Sequence, residues 1–323
     1  MGTRWVWVGM AVLAAAAQAA PVPAEAPRQN SERMGAAPRM ALASDGGAEQ
    51  EAESRRQVTR RLDAFVATGQ KATLGFLRDL VDGSIAFGAP AYNRGDIEGC
   101  ARFYMKTAEA VTAAFPEAKA TAAGAHGLEA LRAALSRCAL VSSFDRRAWL
   151  MRYAFDRIAL DWQLLTLRAR GLVGLATQSL GGERYTEAAD AYGEAAGAVD
   201  ELVGEDPAQV DGGLRAAGMM QGNALLGERD FAGAARALDA GLERVPEWPH
   251  RPLDLHKVFR PARLDALVKE LEAAAAKPGA SADLAFTLGY VYHCAGKQDA
   301  ATAQFKKALA QDAGHRGALR YVK

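Results

Sequence analysis

The feature that most restricts how this chain can fold is a spacing. Ala301, Phe305 and Ala308 form a small, large, small set at helical intervals. Leu267, Leu271 and Ala274 hold the same relative places 34 residues earlier, and Ala234, Leu238 and Gly241 lie a further 33 residues back. Such a period holds two helices and a turn but no independent core, so each copy must bury its apolar stripe against its neighbours. Ahead of the last copy stand Leu288, Gly289, Tyr292 and Gly296. Gly289 and Ala301 are expected where two helices cross and no bulk fits, with Tyr292 and Phe305 filling the space between this hairpin and the next. Half of the chain is hydrophobic but only 7% is aromatic, which favours closely packed helices over sheet. The expected fold class is all-α, built from antiparallel helical hairpins.

A fourth copy, Tyr185, Ala188, Tyr192 and Ala195, lies 46 residues ahead of the Ala234 unit. Its additional residues must lengthen a helix or the connection "VGEDPAQVDGG". The pattern L-G-x-x-Y followed by A-x-x-x-F-x-x-A resembles the tetratricopeptide repeat, over roughly residues 160–318. That resemblance implies hairpins stacked as a right-handed solenoid. The Leu267 unit departs from it, because its first helix is reduced to "LDLHKVF" between Pro252 and Pro261. In the N-terminal half, Gly88, Gly95, Cys100, Tyr104 and Thr107 take the same relative positions, and a degenerate hairpin is expected. Pro90 should kink its first helix or start it late. Leu128, Leu131, Leu135 and Cys138 mark a further amphipathic helix.

The first residues, "MGTRWVWVGMAVLAAAAQAAPVPAEAP", combine a basic Arg4, an apolar run from Trp5 to Ala17 and small residues at Ala17 and Ala19. This predicts a secretory signal cut after Ala19, its run being short of the about 20 residues a membrane span needs. Residues 20–53 have no hydrophobic period and read as a disordered linker. "SRRQ" at 54–57 has the spacing of a capping box. The expected organisation is signal 1–19, linker 20–53, N-terminal helical module 54–160 and repeat domain 161–323. The mature protein is expected to be exported, periplasmic or secreted, with no stable membrane insertion after signal cleavage. Lys plus Arg total 39 and Asp plus Glu 38, so no global field draws nucleic acid. The arginines of "SRRQVTRR" read as a solvated helix face.

His293 beside Cys294 invites a catalytic reading, but adjacent residues on a helix point about 100° apart and cannot converge on one substrate atom. The five histidines, at 126, 250, 256, 293 and 315, form no metal motif, and there is no C-x-x-C, phosphate loop or nucleophile elbow. "SLGGER" reads as the bend between two repeat helices. No catalytic residue, metal or cofactor is therefore expected, and the chain is expected not to be an enzyme. Three cysteines in an exported chain allow one disulfide, Cys100 to Cys138; two buried thiols is the competing expectation.

In the tetratricopeptide family the first helix of each hairpin lines a concave groove. Carried onto this chain, the groove would present Met219 and Asn223, then His256 and Phe259, then Phe286, Tyr290 and His293. Such a face implies a protein or peptide partner, and the chain reads as a protein-interaction scaffold. A competing expectation has these residues packed against a terminal helix or the linker. The rival function is a small-ligand-binding or enzyme-accessory protein, with a pocket in the N-terminal module lined by Tyr92, Tyr104, Trp149 and Tyr153.

Overall fold

Short polar side chains start most of the helices, by accepting the backbone N–H groups that a first turn leaves unpaired. A computed structural model describes residues 46–322 apart from Glu205. The expected signal segment and most of the expected linker lie outside the described residues. Among the described residues there are thirteen α-helices and no strand, so the chain is all-α. They are α1 (Gly46–Ala67), α2 (Leu74–Asn93), α3 (Ile97–Ala114), α4 (Ala122–Ala139), α5 (Phe144–Gly181), α6 (Tyr185–Leu202) and the short α7 (Gly212–Arg215). Then follow α8 (Ala217–Glu228), α9 (Phe231–Arg244), α10 (Pro261–Ala275), α11 (Ala282–Cys294), α12 (Gln298–Gln311) and α13 (Arg316–Tyr321). Thr73, Asp96, Thr121, Ser143, Asp230 and Ser281 cap α2, α3, α4, α5, α9 and α11 through side-chain oxygens.

One frame recurs in four hairpins, α2/α3, α5/α6, α8/α9 and α11/α12. A small residue sits at the crossing (Gly88, Ala176, Gly222, Gly289), seven positions before the turn residue with positive φ (Gly95, Glu183, Arg229, Gly296) and sixteen before a large one (Tyr104, Tyr192, Leu238, Phe305). In the three hairpins whose small residue is glycine, the large residue lies against it. A Cβ on Gly88 would come within 2.1 Å of the Tyr104 ring, on Gly222 within 2.6 Å of Leu238 Cγ, and on Gly289 within 2.7 Å of the Phe305 ring. The two glycine turns suit the left-handed region, whereas Glu183 and Arg229 adopt it with a side chain in place.

The sequence-level boundaries move in three places. Gly46–Glu53, read as linker, forms the first turns of α1. Ser54 is therefore interior to the helix rather than its cap, because "AEQEAE" is rich in helix formers and Glu53 accepts from Arg56 (2.9 Å) and Arg60 (2.6 Å). Pro90 does not delay α2, which begins at Leu74 and carries the proline in its final turn. The division at 160/161 falls inside α5, a single helix of 38 residues. Its first half joins α2, α3 and α4 around Phe76, Phe103, Tyr104, Phe115 and Phe155; its second half packs with α6. A small cluster of Ala169, Val199, Leu202, Val210 and Leu214 lies between the two cores.

In the Leu267 unit, the prolines leave only 3-10 turns at Trp248–His250 and Leu255–Lys257 where a first helix would stand. The last hairpin then packs α11 directly against α9 as well as α10. The additional residues of the fourth copy form a 3-10 turn at Pro207–Gln209 and α7.

Candidate functional site

The groove expected from the repeat pattern is filled by the chain itself. Met219, Asn223, Phe259, Phe286 and Tyr290 are buried, the last four among the best-enclosed side chains of the C-terminal core or its polar heart. Only His256 is exposed, and His293 is half-buried. Two causes account for this correction. Loss of a regular first helix in the Leu267 unit brings α11 onto the preceding hairpin, so the Tyr290 hydroxyl meets the Asn223 amide, whose Nδ2 donates to it at 3.0 Å and to Met219 O at 2.8 Å. The second cause is α13, which folds back over the last hairpin. Tyr321 stacks on Phe305 at 4.4 Å, and His315 lies 4.7 Å from the Phe286 ring. His293 presents its ring edge to Tyr321 at 5.0 Å, and its Nδ1 lies 3.1 Å from Gln298 Oε1. Phe259 packs on Tyr185 at 5.8 Å.

The cysteines are unbridged. Cys100 and Cys138 are both buried, and the Cys138 thiol donates to Arg147 O at 3.6 Å. Burial pushes the Cys100 and Cys294 thiols up to about 11. Thiolate at neutral pH is thereby suppressed, the opposite of what a nucleophile needs. We expect the Cys100 and Cys294 thiols to react with a maleimide or disulfide reagent at pH 7.5 at least about 100-fold more slowly in the folded chain than in denaturant, and the Cys138 thiol, also raised by burial, to be slowed in the same direction. The rate should rise as pH climbs toward 11. Rapid labelling of Cys294 at neutral pH would contradict this account.

Three of the four aromatics assigned to the N-terminal pocket do line one. A cleft of ≈ 280 Å³ is bounded by Tyr92, Tyr104, Trp149, Cys100, Arg152 and Asp156. The Tyr92 hydroxyl donates to Asp145 Oδ1 (2.5 Å) and accepts from Trp149 Nε1 (3.1 Å), which fixes one wall. Arg152 Nε donates to Asp156 Oδ1 at 2.8 Å. Tyr153 is outside the cleft, exposed, with its ring 5.8 Å from that of Trp149.

A different surface was not anticipated from the repeats. Along α5, Trp149, Tyr153, Leu160, Leu164, Leu167 and Leu175 are 45–64% exposed. At about 100° per residue they fall within roughly 80° of one another, a single stripe about 40 Å long. Gly171 and Gly174 continue it, with open space where a Cβ would stand. From Leu160 to Gly174 the steps are four, three, four and three residues, the interval of a helix that meets another helix. The signal was present in sequence, since "DRIALDWQLLTLRARGLVGL" has more apolar residues than one buried face requires. Ile158, Ala169 and Ala176 take the inner face, leaving the leucines outside. Isolated exposed leucines are ordinary, but a row of six large apolar side chains on one helix is not, and it makes this face of α5 the candidate surface.

Among the described residues, no group of His, Cys, Asp and Glu could hold a metal ion, and no helix is long and apolar enough to cross a membrane. No family model, curated protein or solved structure matches the chain.

Proposed function

We propose that this chain is an exported, non-catalytic scaffold of tetratricopeptide-type hairpins that binds a protein partner along α5. The four-fold recurrence of the small, positive-φ, large frame supports the repeat reading, and the leader-like first residues support export to the periplasm or the medium. The observation that carries the binding role is the exposed stripe of α5, which replaces the filled groove as the partner surface. A photo-crosslinking amino acid at Leu164 should trap a partner polypeptide in the cell-envelope or secreted fraction, and the same group at exposed Asp190 should not. Absence of any adduct at Leu164 would overturn the proposal.

The aromatic cleft favours a second reading, in which the N-terminal module holds a small planar ligand against Trp149 and Tyr104, with Arg152 supplying a cation. A panel of aromatic acids should then raise the melting temperature in wild type and not in Arg152→Ala. No shift across the panel would remove this reading.

A further inference from the structure

We infer that the partner along α5 is a second copy of this chain, laid antiparallel across it about a two-fold axis near Leu164. The inference rests on the reading of α5 as the binding surface and adds the identity of the partner. A two-fold contact matches one patch to itself, and the stripe is suited to that. With the axis beside Leu164, Leu160 lies next to Leu167 of the second copy, Tyr153 next to Leu175, and Leu164 next to its own counterpart. Gly171 and Gly174 leave room for the close approach, as nothing on their own chain occupies the space before them.

The charges beside the stripe select both occupant and direction. Asp161 and Arg168 lie on the same flank of α5, while Asp156 lies on the other. In an antiparallel two-fold pair like flanks meet, so Arg168 stands beside Asp161 of the second copy, and the contact occurs twice. In a parallel pair opposite flanks meet, and Asp156 would face Asp161 of the second copy, a like-charge contact repeated by symmetry. Within one chain these groups are already partnered near water, Asp161 with Arg157 at 2.9 Å and Arg168 with Glu194 at 3.4 Å, so rearrangement costs little. The stripe alone covers about 400 Å², half of the about 800 Å² per partner of a standard interface. The contact must therefore also take in the adjoining groove between α4 and α5, of ≈ 620 Å³, lined by His126, Glu129, Ala130 and Ala133.

Sedimentation of the purified protein from about 1 to 100 µM should show a monomer–dimer equilibrium. Leu164→Glu, at an exposed position that should leave the circular dichroism unchanged, should weaken it at least 100-fold, because two carboxylates meet on the axis. Arg168→Asp should weaken the dimer about tenfold, and the double variant Asp161→Arg with Arg168→Asp should restore it. Under mild oxidation Leu164→Cys should cross-link to itself, and Leu160→Cys should cross-link to Leu167→Cys rather than to itself. Self-linking at both positions would overturn the antiparallel arrangement. A protein that stays monomeric at 100 µM overturns self-association. If the photo-crosslinker at Leu164 then still traps a different polypeptide, the scaffold reading survives without it; if it traps nothing, both fall.

Discussion

Replacing Gly75 by alanine should lower the stability of the chain by about 3 kcal/mol or more, although a single methyl group is added. At most crossings the neighbour of a glycine is a side chain. The Phe305 ring that faces Gly289 can turn or slide, so a methyl at Gly289 is partly accommodated by the ring. At Gly75 the neighbour is backbone. A Cβ would stand 2.1 Å from Leu202 O and 2.6 Å from the carbonyl carbons of Leu202 and Val203. That segment is tied down from three sides. Leu202 O accepts from Trp162 Nε1 at 3.0 Å, Val203 O accepts from the Thr73 hydroxyl at 2.8 Å, and Val203 N donates to Val199 O at 3.0 Å. The Thr73 hydroxyl also accepts from Phe76 N at 3.0 Å, so the cap of α2 is part of the same junction. Moving the chains apart loses hydrogen bonds of about 1 kcal/mol each on top of an overpacking cost of about 1 to 3 kcal/mol. Because total stability is about 5 to 15 kcal/mol, the melting temperature should fall by at least about 5 °C. An unchanged melt would show that α2 and the end of α6 are not in backbone contact.

The same contrast between side chain and backbone explains what could be read in advance. The hairpins were legible because small and large residues recur at a fixed interval in the chain, but which of them meet was not: Gly289 was expected to cross at Ala301 with Phe305 between hairpins, whereas the Phe305 ring lies against Gly289 inside the α11/α12 hairpin. The turns were half legible. Gly95 and Gly296 announce a positive φ, while Glu183 and Arg229 occupy the same place without announcing it. The exposed face was legible only as a surplus of apolar residues and not by position, because exposure depends on what comes to lie over a helix. The repeat pattern assigns Phe286 and His293 to a groove, but whether a groove is open was decided by the six residues of α13, which carry no repeat signature. On α5, inner and outer faces are both apolar, Ile158 and Leu165 against Leu160 and Leu164, so composition could not say which row the core would take. Gly75 likewise has no periodic partner, since its contact with Leu202 joins distant parts of the chain.

Tyr290→Ala should act on stability rather than on binding, and by about 3 to 5 kcal/mol. The ring is fully buried in the C-terminal core, so truncation removes a large apolar contact and leaves a cavity. Its hydroxyl adds a polar term. Asn223, equally buried, donates to Met219 O and to Tyr290 Oη, which makes the tyrosine the side-chain partner of an amide that has no access to water. Burial holds the Tyr290 hydroxyl well above the usual phenol range, so it remains a neutral hydrogen-bonding group through the physiological span. Tyr290→Phe isolates this polar term. It keeps the ring, strips Asn223 of one partner, and should cost about 1 to 2 kcal/mol. Asn223→Leu should cost a similar amount by removing the amide partner of the hydroxyl. The two together should cost less than their sum, because removing both members of a buried polar pair leaves neither unpaired. Chemical denaturation of the four proteins gives the cycle directly. The outcome also separates an enclosed α11 from an open groove. If α11 faced a groove, Tyr290→Ala would leave the denaturation midpoint near wild type and weaken only the capture of a partner. With α11 enclosed by α9 and α13, the midpoint drops, while cross-linking through Leu164 on the distant α5 persists wherever the chain remains folded.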